Sequence, residues 1–130
     1  MNKSSEFSFM LKPSSIGGVG VFATHDLSEG AEVFTGTFSP KKMKLEDVPG
    51  PLRQYCIYIN DEECLCPEKF DRMEIDWFVN HSNTPNVAKT PEGKVFTLRK
   101  IKAGEEIVCD YNLLNEPDHL KEEYYRPSKR

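Results

Sequence analysis

The ten residues from Trp77 to Asn86 hold His81, Ser82 and three asparagines, Asn80, Asn83 and Asn86, behind the apolar triplet Trp77-Phe78-Val79. An asparagine side chain donates and accepts at once, so these residues can pin a loop to its own backbone, or grip a partner, with no change in net charge. With Pro85 among them, the segment reads as a shaped loop, too polar for a strand and too rigid for a linker. His81 is its obvious candidate for acid–base work, whereas Tyr111, beside Asp110, reads in isolation as a core tyrosine with a satisfied hydroxyl. His25 and His119 have no metal-ligand neighbour at usable spacing. Cys64-x-Cys66 tempts a zinc reading, on which a zinc-stabilised interaction domain would depend, but the chain's four cysteines read more simply as free thiols in a reducing compartment. Gly18-Val19-Gly20 invites comparison with the dinucleotide fingerprint. The third glycine of that motif is missing, and Val21-Phe22-Ala23-Thr24 favours a strand where the motif opens a helix.

The scaffold that positions these groups has to be built mainly from short strands. Phe7, Phe9 and Leu11 alternate with polar residues up to Pro13, Val19 to Thr24 is β-prone, Ala31 to Phe38 is extended around Gly36, and Tyr55 to Ile59 is a further short run. Ser39 to Leu52, with Lys41-Lys42-Met43-Lys44 and Pro49-Gly50-Pro51, reads as an exposed loop, and Asp61-Glu62-Glu63 as an acidic turn. Phe70 to Phe78 has room for one or two helical turns. Val95 to Ile101 and Glu106 to Tyr111, joined by the Ala103-Gly104 turn, read as a hairpin. Glu116 to Tyr125 suits a short terminal helix, with Pro117 near its start and acidic residues in its first turn, and Pro127 to Arg130 is expected to fray.

A length of 130 residues suits one domain over 1–130, with a core at about 6–112 and a tail at 113–130. The net charge of −4 argues against direct nucleic-acid binding and suits a basic peptide partner; a homodimer is compatible with it. No apolar run approaches the roughly 20 residues of a membrane span, and Met1 to Glu6 leads into no signal-peptide core. The expectation is a cytoplasmic or nuclear protein.

Gly18-Val19-Gly20-Val21-Phe22, then Phe78-Val79-Asn80-His81-Ser82 with Pro85-Asn86, then Gly104-Glu105-Glu106-Ile107 ending at Asp110-Tyr111 are three segments that fall in a telling order. Taken together they resemble the SET domain, the catalytic domain of a family of protein lysine methyltransferases. Glu32 to Gly36 resembles a fourth segment of the family. The resemblance implies a mainly β fold of small curved sheets with short helices, whose last conserved segment threads beneath a loop as a pseudoknot. It implies S-adenosyl-L-methionine as methyl donor, with Gly18, Val19, Gly20, Asn80, His81 and Tyr111 against it and Tyr111 at the reacting centre. The implied partner is a protein or peptide carrying a lysine, a histone tail among the candidates. Phe34, Tyr58, Phe78 and Cys109 are the expected walls of a lysine channel, and no metal is expected. A catalytically inactive SET-like peptide-binding module is the alternative.

Methyl transfer from a sulfonium to an amine creates no anion, so an oxyanion hole is unnecessary. It requires a free lone pair on nitrogen and a linear approach, an alignment that can supply up to roughly 7–11 kcal/mol. Deprotonating a lysine of ordinary pKa costs about 3 kcal/mol at pH 8, and a desolvating channel of aromatic rings, hydroxyls and carbonyls lowers that cost. Strand geometry over Ile107 to Tyr111 would turn Asp110 away from Tyr111. Trp77, Asn83 and Cys109 stand where many members of the family have Arg, Cys and Phe, and no cysteine-rich cap follows Tyr111. The segment with Tyr124 and Tyr125, or a partner subunit, is expected to close the site instead.

Overall fold

In the computed structural model, residues 7–35, 40–114, 116–122 and 125 are described. They form three small sheets. The first has the order β1 (Phe9–Pro13), β2 (Val19–Ala23), β10 (Glu106–Cys109), β7 (Asn80–His81). The second joins β3 (Glu32–Val33), β9 (Val95–Thr97) and β8 (Val87–Lys89), and the third β4 (Lys41–Lys44), β6 (Glu63–Cys66) and β5 (Ile57–Tyr58). Single 3-10 turns at Phe70–Arg72, Ile75–Phe78, Tyr111–Leu114 and Asp118–Leu120 complete the frame around the site. No helix among the described residues is long and apolar enough to cross a membrane.

Two cores lie beneath the sheets. Val21, Ala23, Leu27, Val33, Val79, Val87, Ile101 and Ile107 are buried together in the larger, and Val48, Cys56, Cys64 and Cys66 in the smaller. The partners of β10 correct the expected hairpin. β9 pairs with β8 and β3, while β10 pairs antiparallel with β2 and parallel with β7. The reason is burial across the ladder: Ile107 stands opposite Val21, and both are wholly buried, a match that β9 does not offer. Gly104, with φ +89°, turns the chain out of the second sheet, and its N–H donates to Ala23 O at 2.8 Å.

Other local readings change with tertiary context. Lys41 to Lys44 is strand β4, not loop: Met43 pairs in register with Cys64 and packs on the smaller core, while the three lysines point to water along a sheet edge. Asn80 and His81, judged too polar for a strand, form β7 because the polar side chains find partners on both sides of the ladder. Of the helix expected over Glu116 to Tyr125, a single 3-10 turn at Asp118–Leu120 forms, Glu116, Pro117, Lys121 and Glu122 are not helical, with Lys121 extended, and residues 123 and 124, like Gly36 and Phe38, lie outside the described residues.

Candidate functional site

The glycine turn and the asparagine segment meet through one carboxylate. Gly17 and Gly18 have φ of +158° and +55°, and a Cβ on Gly18 would meet nothing within 4 Å, so this backbone lies open on the surface. Gly20 is the reverse: it is buried, and a Cβ there would collide with the Glu106 carboxylate. That carboxylate accepts from Ser14 Oγ at 2.7 Å and from Asn80 Nδ2 at 2.9 Å, and Asn80 Nδ2 also donates to Val19 O at 3.2 Å. Asn80 is thereby locked onto the Gly18-Val19-Gly20 turn across 61 residues of chain.

Asn86, 1% exposed, ties the last strand beneath this loop. Its Nδ2 donates to Glu106 O at 2.8 Å, its Oδ1 accepts from Val108 N at 2.9 Å, and its own N–H donates to Val108 O at 3.1 Å. With Ser82 N donating to Cys109 O at 2.9 Å, the loop of residues 82–86 straps β10 in place, the crossing that the resemblance implies.

His81 does not face open space. Its Nδ1 accepts from the Tyr111 N–H at 3.0 Å, which leaves the proton on Nε2 to donate to Asn83 Oδ1 at 3.0 Å. The imidazole is buried and both nitrogens are engaged, so it fixes where Tyr111 begins. The Tyr111 hydroxyl donates to Val79 O at 2.7 Å. The strand ends at Cys109, and Asp110 turns back to accept from Asn112 N at 2.9 Å rather than continuing the strand alternation. Tyr125 completes an aromatic cluster, its ring centroid 5.6 Å from His81 and 5.1 Å edge-on from Tyr111. Its hydroxyl donates to Glu116 Oε1 at 2.6 Å, while Glu116 Oε2 accepts from the Tyr58 N–H at 2.8 Å. The tail is thus fastened to β5 by a buried carboxylate. The buried Lys121 holds Asn112 Oδ1 and Asp118 Oδ1, both at 2.9 Å.

Tyr111 and Tyr125 form part of the wall of a cleft of about 570 Å³. Phe34, Tyr58 and Cys109 also line it; Gly18, Val19, Gly20, Asn80 and His81 do not. Phe78 does not line it either. It packs in the larger core and supports the lining residue Tyr55 edge-on, with centroids 5.5 Å apart. Phe34 has φ +53°, a conformation costly for an aromatic residue, and stacks on Phe9 at 4.5 Å. Burial and the neighbouring Asp110 push the Cys109 thiol up to about 12. Burial, then the carboxylate of Glu122, raises the Tyr58 phenol.

The SET-domain family profile matches residues 18–112. The chain belongs to the SET-domain family. It is therefore a member of a methyltransferase family. The chain is similar to a Plasmodium falciparum candidate histone methyltransferase of known crystal structure, with 22% identity, a TM-score of 0.49, and coverage of 78% of this chain and 90% of that chain. No curated protein matches.

In this SET domain Cys64 and Cys66 alternate inward from β6 and are fully buried in the smaller core, beside Cys56. Burial raises the thiols of Cys56, to about 12, and Cys66, and no group of metal-ligand type is assembled among the described residues. Sequence reasoning assigned no part to Glu106, Glu116 or Asp76. Glu106 stood within the Gly104-Glu105-Glu106-Ile107 segment and could have been singled out there; Glu116 and Asp76 carry no signal of spacing or composition.

Proposed function

We propose that this SET domain transfers a methyl group from S-adenosyl-L-methionine to the side-chain amine of a lysine on a protein. The observation that carries the reading is the position of Tyr111, anchored on His81 behind and facing the cleft in front. The open glycine backbone at Gly18, together with Val19 and the locked Asn80, suits a ligand that must lie close to main chain, so Gly18, Val19, Gly20, Asn80 and His81 are the residues that would hold the cofactor. When bound, the cofactor supplies an electrophilic methyl group on a sulfonium.

The rest of the chemistry belongs to the chain's own groups. Because the Tyr111 hydroxyl donates to Val79 O, it presents lone pairs to a ligand, and it holds the lysine amine by accepting an N–H. Tyr58, Tyr125 and Phe34 offer ring faces that tolerate a cationic methylated product, and their apolar surfaces exclude water and favour the neutral amine. Cys109, small and held as a thiol, leaves the channel wall wider than an aromatic residue would. Residues 116–122 and Tyr125 take the part of a closing cap, with Glu116 as its latch.

Incubation with labelled S-adenosyl-L-methionine and a panel of histones and cell-lysate proteins tests the reading, comparing the native chain with Tyr111→Phe. The expected result is transfer to lysine that falls at least tenfold in the variant, the effect of losing one aligned hydrogen bond at the reacting centre. Label transfer unaffected by the change refutes the assignment of Tyr111, and cofactor binding with no transfer to any protein refutes the enzyme.

A further inference from the structure

The side-chain nitrogen of Asn80 carries two protons, and both are taken. Nδ2 donates to Val19 O at 3.2 Å and to Glu106 Oε2 at 2.9 Å. Both partners are acceptors only, so the amide fits one way round, with its nitrogen on the glycine turn and Oδ1 turned from it. Oδ1 has no partner among the described residues and is not buried, which leaves an acceptor open to a ligand beside Gly18-Val19-Gly20.

The Glu106 carboxylate also shapes the turn itself. Its two oxygens accept from Ser14 Oγ at 2.7 and 2.9 Å. Ser14 Oγ in turn accepts from Ile16 N at 3.0 Å, and Ser14 N donates to Gly18 O at 2.9 Å. Glu106 stands opposite Phe22 in the ladder of β10 on β2, and its carboxylate lies where a Cβ on Gly20 would displace it. One side chain of β10 therefore holds the turn at Ser14 and the amide at Asn80. Without Glu106, Asn80 keeps only the longer bond to Val19 O, and rotation of the amide brings nitrogen to the place where the ligand meets an acceptor.

Building on the reading of this segment as the cofactor site, we propose that Glu106 is a positioning residue for the cofactor. It fixes the Asn80 amide with Oδ1 outward, ready to accept from a donor group of S-adenosyl-L-methionine, and it acts as a hydrogen-bond acceptor rather than through its charge. Orientation arranged before the ligand arrives is read in affinity. Tyr111 is braced separately, by His81 and by Val79 O, so turnover at saturating cofactor is little affected.

Glu106→Met and Glu106→Gln separate the two roles. Methionine fills the same space without a strong acceptor, whereas glutamine keeps an acceptor oxygen for Asn80 and drops the charge. Calorimetry gives the affinity for S-adenosyl-L-methionine, label transfer gives its KM and kcat, and NMR of the free protein gives proton exchange at the Asn80 side-chain amide. Glu106→Met is expected to weaken binding by about tenfold or more, to raise KM in proportion and to leave kcat within about threefold. Its Asn80 amide protons exchange faster than in the native chain. Glu106→Gln is expected to stay within about threefold of native affinity and to keep the slow exchange. Equal weakening in the two variants overturns the inference, as does native affinity or native amide protection in Glu106→Met.

Thermal melts show whether Glu106→Met folds. Where it does not, Asn80→Asp decides, because it sets two carboxylates against each other and should bind the cofactor about tenfold more weakly or worse. Adding Glu106→Gln to Asn80→Asp supplies a donor in place of the opposing charge and should return about threefold or more, whereas no return, or a further loss, overturns the inference. A native chain that binds no S-adenosyl-L-methionine overturns the cofactor reading beneath it instead.

Discussion

Replacing Asn86 by alanine should damage this fold more than any other single change in the Trp77 to Asn86 segment. The side chain is fully buried and makes two hydrogen bonds to one strand, to Glu106 O at 2.8 Å and from Val108 N at 2.9 Å. Alanine leaves that carbonyl and that N–H in the interior without partners, at about 1–3 kcal/mol each, and the void adds about 1 kcal/mol. The total, about 3–7 kcal/mol, is a large part of the roughly 5–15 kcal/mol that holds a domain of this size together. A melting temperature lower by about 10–25 °C follows, measured by far-ultraviolet circular dichroism. Asn83, exposed and bonded through Oδ1 to His81, provides the contrast: Asn83→Ala should cost about 1 kcal/mol. Asn86→Asp sharpens the test, since an ionised carboxylate can accept from Val108 N–H but faces Glu106 O with a second acceptor. Its folded pKa is raised, so the stability lost near neutral pH should partly return as the pH falls and the acid regains a proton to donate. If Asn86→Ala melts within 4 °C of the native chain, or no lower than Asn83→Ala, the strapping of β10 by this residue is wrong.

Asp76→Asn should stabilise the free protein at pH 8. Burial and then Glu74 push the Asp76 carboxyl from its usual range up to about 6, so its contribution to stability is present below about pH 4 and lost as pH rises through 6. With partial solvent access the gain is on the order of 1–2 kcal/mol at pH 8 and vanishes near pH 4, read from urea midpoints. Glu116→Ala should loosen the tail by about 1–3 kcal/mol, because it strands the buried Tyr125 hydroxyl and the Tyr58 N–H; faster hydrogen exchange at Tyr58 and a fall in methyl transfer are the readouts. The Cys56, Cys66 and Cys109 thiols, all raised by burial, should resist iodoacetamide at pH 8 in the native state and react on denaturation. Treatment with a chelator should leave the melting temperature unchanged, whereas a drop of several degrees would return a metal to Cys64 and Cys66.

Much of this protein can be read from local chemistry. The glycines at 17–20 and 104 announce turns, the alternating runs at Val19 to Ala23 and Val95 to Thr97 announce strands, and the asparagine-rich segment announces a shaped loop, because each of these preferences is set by a residue and its neighbours in sequence. The same residues, through their resemblance to the SET family, single out Tyr111 and the turn that Asn80 locks as site candidates. Three things were decided only by tertiary structure. The partners of β10 depend on which buried face meets Ile107, and Val21, far away in sequence, supplies it. Phe78, expected as a channel wall, packs in the core instead, and Tyr55, to which sequence gave no such part, lines the cleft, since which aromatic reaches a cleft is fixed by the packing of a 3-10 turn against the core. The environments of Asp76, Glu106 and Glu116 differ as much as three carboxylates can: one has an unpartnered oxygen, one ties an asparagine to a glycine turn, and one latches the tail. Sequence shows each of them only as an acid, because what a carboxylate does is set by the donors and the water that the folded chain leaves around it.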